Sequence, residues 1–104
     1  MGTSNDQAHP EMTKLLKTFP VLKNKLAYWP WGVGEVGIVK DAYWGASSGE
    51  KCAIEFLLSV WDHDVDWSQR GFENFNLART VGMFGGSGQN VDAIVGWIQE
   101  PFFP

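Results

Sequence analysis

Ser47-Ser48-Gly49-Glu50-Lys51-Cys52-Ala53-Ile54-Glu55-Phe56-Leu57-Leu58-Ser59-Val60-Trp61 is the stretch on which the fold turns. Ser47 with Glu50 three residues later has the spacing of a reciprocal capping box, so a helix should begin there. Wound as an α-helix, its apolar residues cover almost the whole circumference. They leave a narrow polar stripe of Lys51, Glu55, Ser59 and Asp62. A helix apolar nearly all round must be covered on most sides, which puts it at the centre of a pack of other elements.

The flanks supply candidates for that cover. Pro10 suits a first helical position and Glu11 its positive end, and Met12, Leu15, Leu16 and Phe19 then form one apolar stripe that Pro20 ends. A second helical stretch runs from Pro20 to Tyr28, with Leu22, Leu26 and Trp29 on one side, and Trp29-Pro30-Trp31-Gly32 stops it. Beyond a polar connection, Phe72, Phe75, Leu77, Ala78, Val81 and Phe84 suggest a further helix closed by Gly85-Gly86. Asn90 can cap a last helix striped by Val91, Ile94, Val95 and Ile98 and stopped by Pro101. Residues 32–45 are broken by glycines, with Val36, Ile38 and Val39 as candidates for a short strand. The expected fold is all-α: a compact bundle of four to five helices around 47–61, with an irregular segment at 32–45. The alternative is α+β with a short hairpin at 32–45.

At 104 residues the chain is too short for two independent cores. The expected organisation is a disordered tail over residues 1–9 and one helical domain over 10–104. Six tryptophans supply much buried area for few ordered torsions. The net charge of −4 is unevenly spread: residues 1–45 carry five lysines against four acids, and residues 46–104 three cations against eight acids. No dense basic face exists to neutralise phosphates, so nucleic acid is not an expected partner. The acidic half suits a basic partner, or the basic half of a second copy. One cysteine, Cys52, excludes an internal disulfide framework. With no signal-peptide pattern and no run of membrane-spanning length, the expectation is a cytoplasmic protein without a membrane partner.

Three patterns touch chemistry. Gly32-Val33-Gly34-Glu35-Val36-Gly37 fits a phosphate-cradling glycine string, but no strand–helix unit of a parallel sheet surrounds it, and the glycines read better as turn formers. Asp62, Asp64, Asp66 and Glu73 stand at the first, third, fifth and twelfth positions of an EF-hand-like loop, a possible calcium site. Trp67 occupies the sixth position, where glycine is needed for the turn. The competing reading makes these acids solvated loop residues, with Asp64 or Asp66 capping the next helix. His63 could act as a base, yet no activated nucleophile accompanies it, so no catalytic residue and no cofactor is assigned.

Tyr28, Trp29, Trp31, Tyr43 and Trp44 flank Pro30 and several glycines and can line a surface for a partner, or wall the core. Phe102 and Phe103 end the chain, either folded back or projecting as a docking peptide. Together these features lead to the expectation of a small, non-catalytic protein-interaction module, self-associating or binding another protein. Divalent-cation binding at 62–73 is the alternative, followed by an enzyme of unknown chemistry.

Overall fold

The computed structural model describes residues 8–30 and 36–104, and among them the chain is all-α. Helix α1 (Pro10–Lys17) leads to a 3-10 turn (Pro20–Leu22), then α2 (Val36–Trp44) and α3 (Ser48–Trp61). A second 3-10 turn (Trp67–Arg70), α4 (Leu77–Met83) and α5 (Gln89–Gln99) complete the order. Helix α3 is the centre expected from its sequence, with α1, the first 3-10 turn, α2 and α4 all packed against it. The radius of gyration is 13.0 Å, the value a compact domain of this length should have.

Helix α3 starts where its capping box places it: the Ser47 hydroxyl accepts from the Glu50 N–H, and the Glu50 carboxylate accepts from the Ser47 N–H at 2.7 Å. Every residue from Cys52 to Leu58 is buried, and so is Val60. Phe56 is the junction of the core, with the rings of Phe19, Phe75 and Trp97 at centroid distances of 5.8, 5.3 and 5.8 Å. Within the polar stripe, Glu55 is buried, with 3% of its surface exposed. The arrival of α4 on that side covers it.

The start of the described chain is anchored, which corrects the expectation of a loose segment through His9. The His9 N–H donates to the Trp29 carbonyl at 2.7 Å, and Ala8 forms an isolated antiparallel bridge with Pro30. His9 is itself the N-cap of α1: its Nδ1 accepts from the Met12 N–H at 3.2 Å. Burial lowers the imidazole pKa, with Glu11 acting weakly against it. Only the neutral ring can accept at Nδ1, so cap and burial favour the same protonation state. Residues 1–7 lie outside the described residues.

Two further segments depart from the sequence reading. Residues 36–44, expected to be irregular or part of a hairpin, are helical. Val39 and Tyr43 bury against the core one turn apart, and that packing outweighs the local preference of β-branched residues for strands. The 20–28 stretch holds only a 3-10 turn and further turns, and residues 72–76 precede α4 without joining it. Gly85 and Gly86 do take the left-handed conformation that stops a helix, and the Gly86 N–H returns to the Val81 carbonyl at 2.8 Å. Asn90 does not cap α5. Helix α5 starts two residues earlier than that cap implies, at Gln89, and the Asn90 Oδ1 accepts from the Val21 N–H at 3.1 Å, tying the start of α5 to the first 3-10 turn.

Leu57 and Leu58 lie at the middle of this pack with 0% and 1% of their surface exposed. Truncating either to alanine is expected to cost roughly 2–5 kcal/mol in a denaturant melt, through lost burial and the cavity left behind. Near-neutral values for both would mean that α3 is not the centre of the core.

Candidate functional site

The residues expected to face a partner divide into two groups. Trp29 and Tyr43 are buried and belong to the core, which corrects their assignment to a surface. The Trp29 ring packs 6.2 Å from that of Trp61, and the Tyr43 ring 5.0 Å from that of Phe72. Tyr28 is half-buried, and Trp31 lies outside the described residues. Trp44 and Phe103 are open to solvent, 67% and 70% exposed. Phe102 folds back: it is half-buried, and its carbonyl accepts from the Trp97 Nε1–H at 3.2 Å. Phe103 turns outward, touching Trp97 and His63 only edge-on.

The acidic loop is held together by its own hydrogen bonds. Asp66 Oδ1 caps the 3-10 turn by accepting from the Ser68 N–H, from the Ser68 hydroxyl and from Asn74 Nδ2. Those bonds hold the carboxyl of Asp66 below its usual range. The Asn74 side chain replies by accepting from the Trp67 N–H at 2.8 Å. Asp62 Oδ1 accepts from the Asp64 N–H, and Glu73 turns away to pair with Arg79 at 3.1 Å. Among the described residues, no three acid, imidazole or thiol groups converge as metal ligands. Of the glycine string, Gly32 to Glu35 lie outside the described residues, and Gly37 sits exposed on α2.

A polar centre that sequence reasoning missed lies beneath α2 and α4. The Tyr43 hydroxyl donates to Glu55 Oε2 at 2.7 Å, and Arg79 Nη2 donates to Glu55 Oε1 at 2.6 Å. One buried carboxylate thereby fastens two short outer helices to α3. Lys51 sits over the Tyr43 ring at 5.3 Å, and Arg79 Nη1 continues the network to Glu73. Burial raises the pKa of Glu55 despite its bonds to Tyr43 and Arg79, and burial with the Glu55 bond raises that of Tyr43.

A groove of about 700 Å³ lies between α1 and α5. Its floor is apolar, formed by Leu15, Pro20, Ala93, Trp97 and Phe102. Lys14 and Lys17 stand on the α1 wall, and Asp92 and Glu100 on the α5 wall. The Asn90–Val21 bond ties the start of α5 to the 3-10 turn that follows α1. Gly96 lies midway along the α5 wall, where an added Cβ would meet nothing within 4 Å. On the other flank of α5, Val95 and Ile98 are exposed, 42% and 55%. The sequence hinted at this groove only through the sign difference between the two halves of the chain.

Comparison with protein families, with characterised proteins and with solved structures finds no match to this chain. Among the described residues, no helix is long and apolar enough to cross a membrane.

The buried carboxylate generates a test by pH. A raised pKa in the folded state means that Glu55 contributes stability below its unfolded value of 4.5, and that this is lost as pH rises through the folded value. Glu55→Gln keeps an acceptor for Tyr43 but cannot titrate. Its stability relative to wild type should therefore improve with rising pH across that window in urea melts. A difference that stays constant with pH would show that Glu55 is not perturbed. Glu55→Ala, which strands the Tyr43 hydroxyl, is expected to cost about 1–3 kcal/mol.

Proposed function

We propose that the chain is a non-catalytic protein-interaction module whose binding surface is the groove between α1 and α5. The observation that carries this reading is the groove's make-up: an apolar floor open to water between walls of opposite charge. An apolar floor gives affinity on losing water, and charged rims of both signs set orientation and partner choice. A trough between two helices receives the apolar side of another helix without rearranging. Exposed Ile98 and Phe103, on α5 and the tail that follows it, extend the apolar surface beyond the groove. The inward turn of Trp29 and Tyr43 moves the reading away from the central aromatic cluster and onto this face.

Gly96 provides a test that leaves the fold intact. Gly96→Arg puts a long side chain into the groove, while relieving the helix of a glycine should raise stability by about 0.5–1 kcal/mol. Wild type and variant, recovered under identical conditions from the native host, should differ by a protein that wild type retains in stoichiometric amount and the variant releases. Identical retained proteins would remove the groove from consideration.

A further inference from the structure

We propose that His9 is an acid-sensitive latch: a proton on its ring unfastens the start of α1, and with it the Trp29–Pro30 segment, from the end of α3. Three parts of the chain meet at this residue. Its Nδ1 accepts from the Met12 N–H at 3.2 Å, which caps α1. Its ring stands at right angles to that of Trp61, the last residue of α3, with 5.3 Å between centroids. Its backbone N–H donates to the Trp29 carbonyl at 2.7 Å, and the Trp29 N–H donates in turn to the Thr13 hydroxyl at 2.9 Å. Ala8 bridges Pro30 beside it. Only 5% of His9 is exposed. Helix cap, neighbouring segment and helix end therefore converge on one residue of a type that titrates in the mildly acid range.

Three effects oppose the proton. An imidazolium carries N–H on both nitrogens, so Nδ1 faces the Met12 N–H as a second donor and the cap is lost. Its charge sits at the N-terminus of α1, the positive end of the helix dipole. Burial removes the water that would solvate it. Glu11, in the first turn of α1, is the charged side chain among the described residues that works the other way. Helix α3 presents the Trp61 ring, and the Trp29–Pro30 segment its backbone. Burial prevails and holds the imidazole pKa below its ordinary 6.5. The contribution of the latch to stability is therefore complete above 6.5, and it is lost as pH falls through the folded value. The residues preferred at an N-cap, serine, threonine, asparagine and aspartate, do not titrate in this range; histidine adds the response to pH. Helix α1 has 8 residues and does not persist without its contacts, so a lost cap is felt by the whole helix. Lys14, Leu15 and Lys17 line the α1–α5 groove, so acid that frees α1 also takes away one wall. That last step alone rests on the reading of the groove as a binding surface.

NMR of the full chain from about pH 8 to about pH 5 tests the latch, with His9→Asn as the comparison. Asparagine keeps an acceptor for the Met12 N–H and cannot titrate. In wild type the His9 ring should titrate below 6.5. Hydrogen-exchange protection of the α1 amides and of Trp29 should fall with pH below that value, by up to about tenfold per pH unit. It should also stay lower than the protection of the Leu57 and Leu58 amides, which marks an opening of α1 short of global unfolding. In His9→Asn the same amides should keep constant protection across the range. A His9 ring that titrates at or above 6.5, α1 amides that exchange only together with α3, or equal pH dependence in wild type and His9→Asn would each overturn the latch. The wild-type titration and exchange decide the matter even where His9→Asn fails to fold. None of these readouts uses the groove, so Gly96→Arg can fail with the latch intact, and the latch can fail with the groove intact.

Discussion

A ring stack around Phe56 holds this molecule in one piece. Phe19 reaches it from the end of α1, Phe75 from the approach to α4, and Trp97 from α5, so three segments far apart in sequence close on one side chain of α3. The outer helices need that anchorage. Helices of 7 and 8 residues, such as α4 and α1, do not persist alone in water, because too few hydrogen bonds repay the ordering of the first turn. Their stability comes from the apolar area they cover on α3, and edge-to-face ring geometry adds to it.

Covering α3 on all sides imposes a second condition, the burial of Glu55. A charged carboxylate under two helices survives only where its oxygens are answered, and Tyr43 and Arg79 take one oxygen each. Both partners come from the helices that cause the burial. The same contacts that desolvate the acid therefore also satisfy it, and the network fixes where α2 and α4 sit. Apolar packing alone would let two such short helices slide.

The all-α architecture and the place of α3 were legible because both rest on local rules: a capping box, a 3.6-residue period and glycines at helix stops. What escaped the sequence was set at a distance. The polar stripe of α3 gave no sign that Glu55 is buried, because its cover arrives with Arg79, 24 residues later. Helix α2 read as irregular because valine, isoleucine and glycine disfavour a helix locally, and only the docking of Tyr43 reverses this. Trp29 read as a surface ring because proline and glycines flank it, yet His9 and Thr13 hold its backbone against the core. The groove was the least legible feature, since its walls are separated by most of the chain and each residue in it is ordinary.

Helix electrostatics explain part of the charge pattern in that groove and isolate the part they do not. Lys14 and Lys17 occupy the last turn of α1, where cations offset the negative end of the helix. Asp92 occupies the first turn of α5, where an acid offsets the positive end. Two helices stabilised in this way, with these ends lining one groove, set cations and an acid near each other with no partner involved. Glu100 breaks the rule: it ends α5 at the terminus whose dipole repels it, next to Phe102 on the groove floor. Its sign works against the helix that carries it. Glu100 is therefore the one of these four charges that its own helix does not account for.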